Sequence, residues 1–61
     1  MAFNIKITAQ GPVLFTDEEL EDKFQEGIKQ VQRYKSGNYS SWRGVAVCFR
    51  GNKDYKLEIL D

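Results

Sequence analysis

Histidine is absent from this chain, cysteine and proline occur once each, and the formal net charge is zero. Each scarcity closes off some chemistry. Proton transfer near neutral pH most often uses histidine, so an enzyme of the general acid–base kind is not expected. Structural zinc calls for four Cys/His-type ligands, which this composition cannot supply, and no cofactor or metal is expected. A lone Cys48 cannot form an intrachain disulfide. Lying on a strand-like segment beside valines, with no histidine to activate it, Cys48 is expected to be a small buried hydrophobe.

Long apolar runs are missing as well. No stretch approaches the ~18 residues of a membrane-spanning helix, and the opening segment MAFNIKITAQ alternates where a secretion signal would show a charged part followed by an apolar one. The cytoplasm is the expected compartment, no membrane partner is expected, and the sequon Asn38-Tyr39-Ser40 is read as chance.

What the chain does have is a folded composition, with 41% hydrophobic and 30% charged residues over 61 positions, so the signature of disorder is absent. This is expected to be one compact domain spanning 1–61. A chain this short buries only ~60% of its unfolded surface, and a partner or a second copy is the natural source of extra stability.

The zero net charge hides two opposed halves. Asp17, Glu18, Glu19, Glu21, Asp22 and Glu26 fall in one ten-residue window, and Lys29, Arg33, Lys35, Arg43, Arg50, Lys53 and Lys56 follow. Placing the acids in the first turns of a helix offsets the positive end of its dipole, a sufficient structural reason for the cluster.

Periodicity predicts β-α-β-β. Phe3, Ile5 and Ile7 alternate with polar residues over a strand at about 3–9. Thr16-Asp17-Glu18-Glu19 fits a capping box, with Phe15 and Leu20 placed as a hydrophobic staple. Leu20, Phe24, Ile28, Val31 and Tyr34 then form one stripe on a helix at about 17–35. Gly27 lies inside the stripe, where it would allow close approach to a sheet. Gly37 is able to take the left-handed conformation that stops a helix. A strand at about 43–50 and another at about 55–60 flank the turn residues Gly51-Asn52-Lys53-Asp54, in a register that gathers the bulky apolar side chains of the hairpin on one side.

The fold class expected is therefore α+β, a small single domain with one helix packed on a three-stranded sheet. Two strand orders are compatible with it. Placing the third strand in the middle makes the sheet wholly antiparallel and is the arrangement favoured here, whereas placing the second strand centrally suits its apolar character on both faces. Val45, Val47 and Phe49 are assigned to the helix side. Gly44, Ala46, Cys48 and Arg50 are assigned to the open side, together with Lys6, Lys56, Glu58 and Leu60. Small residues on an open face would admit a second sheet, so a homodimer through that face or by edge pairing is an expected partnership.

The run Arg43 to Arg50 matches the strand signature of an RNA-recognition sheet at its Arg, Gly and Ala positions. Val45, Val47 and Arg50 stand where stacking aromatics belong, so the platform is missing and no family membership follows. Aromatic residues interleaved with arginine form a better candidate surface. Tyr39, Trp42 and Arg43 are expected to join Arg33 and Lys35 near the helix end, with Arg50 and Lys53 extending the basic region. Such a surface serves protein hot spots and single-stranded nucleic acids alike. The function expected is a non-enzymatic protein-binding module, a small regulator or inhibitor docking on a larger protein through this Trp/Tyr/Arg surface and the acidic helix. The alternative is a nucleic-acid-binding protein using the basic helix end and the hairpin.

Overall fold

A computed structural model describes residues 3–60, of the 61 in the chain, and its elements run in the order β1 (Asn4–Gly11), α1 (Asp17–Lys35), β2 (Arg43–Arg50) and β3 (Asp54–Leu60). The helix and the second strand have the bounds read from periodicity. The first strand starts after Phe3 and continues to Gly11, and the third begins one residue earlier than expected.

The start of α1 is built by side chains. Thr16 Oγ1 accepts from the Glu19 backbone N–H at 3.1 Å, and Glu19 Oε1 accepts from the Thr16 N–H at 3.0 Å, closing the capping box. Its end differs from expectation. Among the described residues Gly51 alone takes a positive φ, so Gly37 is not a left-handed stop. Instead Ser36 caps in a right-handed conformation and donates from its hydroxyl to the Arg33 carbonyl, while the Gly37 N–H continues to Tyr34 O as a tightened turn. The Gln32, Arg33 and Tyr34 carbonyls are thereby satisfied without a change of backbone hand.

The sheet is mixed, in the order β1-β2-β3. β1 and β2 are parallel, joined through α1, and β2 and β3 are antiparallel through a tight turn. This overturns the favoured arrangement with the third strand in the middle. The central position demands burial, and β2 meets that demand with Gly44, Ala46, Val47, Cys48 and Arg50 all buried, whereas no residue of β3 is.

The helix packs chiefly on β1 and β2. Beneath Leu20, Phe24, Ile28 and Val31 lie Ala46 and Cys48, with Ile7, Ala9 and Leu60 around them. The two faces of the hairpin are thus the reverse of the sequence assignment: Gly44, Ala46, Cys48, Arg50, Lys56 and Leu60 are on the helix side, and Val45, Val47 and Phe49 are on the open side. The reason is volume. An ideal Cβ on Gly44 would fall 2.2 Å from Val31 Cγ1, so a larger side chain there would push the helix off the sheet. The helical stripe also stops at Val31, because Tyr34 is exposed. A second sheet cannot reach the small residues, which α1 covers.

Candidate functional site

Three side-chain constellations stand out, and two of them are used by the fold itself. The first surrounds Arg50, whose position on the small-residue side of β2 brings it under the N-terminus of α1. Its Nε and Nη2 donate to the two carboxylate oxygens of Asp54 at 2.8 and 2.5 Å. Its Nη1 donates to Asp17 Oδ1 at 2.8 Å and to the Phe15 carbonyl at 3.1 Å. This fork-to-fork geometry holds the Asp54 carboxyl below its ordinary value through the Arg50 hydrogen bonds. The Arg50 guanidinium is raised above its usual value by Asp54 first and Asp17 second. Arg50 was a candidate contact for a partner, but its side chain is buried and its donors are occupied, so it serves the junction of helix, strand and hairpin.

Lys56 behaves likewise, pairing across to Glu21. That hydrogen bond, with a smaller one from Gln25, holds the Glu21 carboxyl below its ordinary value. Glu19 belongs to the capping box, and Glu26 lies 3.6 Å from Lys23 on the helix surface. Two acids of α1, Asp17 and Glu21, therefore meet the basic half of the chain within the molecule. Cys48 is 1% exposed, and burial pushes its thiol up, only partly offset by Lys23. It remains protonated at neutral pH.

The second constellation is a chain of rings at the end of the sheet where β2 begins. Phe3 stacks on Trp42 at 5.1 Å, Trp42 meets Tyr39 edge-on at 4.7 Å, and Tyr39 meets Tyr34 edge-on at 6.0 Å. The structure thus brings together Tyr39 and Trp42, with Arg43 next to Trp42 in the chain, and leaves Arg33 exposed on the last turn of α1. Lys35 does more than complement the helix terminus. Its stem crosses Gly44, and Nζ donates to Trp42 O at 2.7 Å and Leu60 O at 3.0 Å. Lys53 and Arg50 lie at the opposite end of β2, by the turn to β3, so the six expected contact residues do not form one surface.

The third constellation went unrecognised in the sequence. On the open face the register sets Val45 beside Ile59, Val47 beside Leu57 and Phe49 beside Tyr55. Val47 sinks between its neighbours, but Phe49 is 37% exposed, Leu57 50%, Ile59 54% and Tyr55 61%. The rings of Phe49 and Tyr55 lie 5.8 Å apart and tilted by 45°. Beside them is an open depression of about 390 Å³ shared with Asn52, Lys53 and Asp54. On the flank formed by β1, Lys6 sits opposite Val45 and Thr8 opposite Val47. One signal in the sequence pointed here: Arg50 and Lys56 alternate with the large apolar residues, and both needed the acids of the helix.

Among the described residues no three metal-ligating side chains cluster, and no helix is long and apolar enough to cross a membrane. The class defined is a small α+β domain with a helix on one sheet face and a bare apolar strip on the other. Comparison with protein-family models, with curated proteins and with solved structures finds no match to this chain.

Proposed function

We propose that this chain is a non-enzymatic protein-binding module of the cytoplasm, a small regulator or inhibitor that docks on a larger protein. The observation that carries the reading is the uncovered strip of Phe49, Tyr55, Leu57 and Ile59, which the hairpin register gathers on one sheet face. The other exposed apolar side chains are Phe3 and those on the loops and the helix end. The largest apolar patch on a soluble monomer, typically about 300–600 Å², is often its functional one. Aromatic anchors set in an aliphatic surround are the usual make-up of a hot spot. The Tyr39–Trp42 end and Arg33 supply secondary contacts at the margin, and most of the acidic helix is engaged internally.

Catalysis is disfavoured by the lack of histidine and by the protonated, buried Cys48. The nucleic-acid reading loses support because Arg50, one of its expected basic contacts, is committed to Asp17 and Asp54. The test is affinity capture from host lysate with nuclease present, comparing the natural chain with Leu57→Lys. One stoichiometric protein retained by the natural chain and lost from the variant is the expected result. Nucleic acid recovered without nuclease, with nothing retained after treatment, would overturn it.

A further inference from the structure

We propose that the occupant of the open face is an amphipathic α-helix of two to three turns with carboxylates along one flank. This deepens the protein-binding reading and rests on it.

The strip has the dimensions of a helix. It is two strands wide, and from Tyr55 to Ile59 it extends ~13 Å at ~3.3 Å per residue, the rise of about nine helical residues. Apolar residues at i, i+3 or i+4 and i+7 would meet it, as in other helix-on-surface recognition. At ~200 Å² for a fully exposed large side chain, the four exposed residues offer about 400 Å². That is close to the apolar share of the ~800 Å² each partner contributes to a standard interface, so charge and not area separates a helix from a second copy.

Charge selects the flank. Lys6 on β1 borders the strip in register with Val45, and Lys53 lines its hairpin end beside Phe49 and Tyr55. Among the described residues, Lys6 makes no ion pair. By alternation Asp54 and Glu58 occupy helix-side positions opposite Arg50 and Ala46, and Asp54, which also lines the hairpin-end depression, is bound by Arg50. Two copies face to face would set cations against cations, whereas an acidic flank is complementary. The molecule already solves the same problem once. Its other sheet face is covered by α1, an amphipathic helix whose Asp17 and Glu21 pair with the strand cations Arg50 and Lys56.

A display library of random peptides about 15 residues long, roughly four helical turns, is to be panned on the natural chain with Leu57→Lys as counter-selection. The best binder is then synthesised. Peptides with apolar residues at helical spacing and Asp or Glu beside them are expected, and circular dichroism should show helix gained on binding. Lys6→Glu should weaken that binder about fivefold, the weight of one exposed charge pair, with the thermal midpoint unchanged. Enrichment of alternating or basic sequences would overturn the proposal, as would no enrichment over Leu57→Lys. So would saturable binding of a single-stranded oligonucleotide to the strip, or sedimentation of the natural chain as a dimer that Leu57→Lys dissociates. Failure here with a captured protein still lost from Leu57→Lys would leave the docking module standing and remove only its helical, acidic occupant.

Discussion

Two glycines on facing elements illustrate how much a single Cβ decides. Gly27 in α1 and Gly44 in β2 both lie in the layer where helix meets sheet. A Cβ on Gly27 would find Ile7 Cγ2 at 3.8 Å and Ala46 Cβ at 3.9 Å, which is ordinary contact, whereas a Cβ on Gly44 would overlap Val31. Gly27→Ala is therefore expected to raise stability by up to ~1 kcal/mol, the helix-propensity difference. Gly44→Ala should cost ~1–3 kcal/mol by overpacking. Denaturant midpoints of the two variants check the opposite signs. That Gly27 faces the sheet was readable from its place in the helical stripe, although the approach there does not require a glycine. The tighter constraint at Gly44 was not, because nothing in the strand's own pattern says which residue stands above it.

At the scale of elements the sequence is most informative, because a helix start or a tight turn is made by residues within a few positions of one another. Thr16 and Glu19 cap α1 as their spacing requires. Thr16→Ala is expected to cost ~1 kcal/mol and to leave partner binding intact, as chemical denaturation beside a binding titration would show. Gly51, at φ +56°, turns β2 into β3 and donates its N–H to Gly11 O at 2.8 Å. Gly51→Ala should lower stability by more than the ~1–2 kcal/mol left-handed penalty, because its Cβ would also fall 2.9 Å from Val13 Cβ, again read from the unfolding midpoint. The C-terminal end of α1 was less legible. Ser36 and Gly37 both suit a helix stop, and the serine hydroxyl on Arg33 O with the Gly37 N–H on Tyr34 O closes the last turn without a left-handed glycine.

Across the whole molecule, the opposed charge halves act as a clasp. Asp54 is held below its ordinary pKa of 3.8 and Glu21 below 4.5, so both carboxylates bind protons less readily folded than unfolded. Their contribution is complete above those ordinary values and is lost as pH falls through the lower folded ones. Thermal midpoints should therefore be flat from about pH 6 to 8, with no histidine to titrate, and decline in acid. Asp54→Asn should flatten part of that decline, and an acid limb identical to the natural chain's would refute the clasp. Leu57→Lys, at a half-exposed position beside the buried Val47, should lower stability by only ~1 kcal/mol and leave the chain folded at ambient temperature.

The sequence by itself determined the order of elements, the helix bounds, its cap, the hairpin register and the pooling of bulky residues on one hairpin face. All of these follow from neighbours in the chain and from periods of 3.6 and 2. Only the tertiary structure decided that β2 lies in the middle, that its small side chains meet the helix, that Arg50 is buried, and that the apolar strip faces outward. A period of two sorts a strand into two faces without ranking them. Where both faces are apolar, the choice falls to the space beneath the helix, which Gly44, Ala46 and Cys48 fit and Val45, Val47 and Phe49 do not.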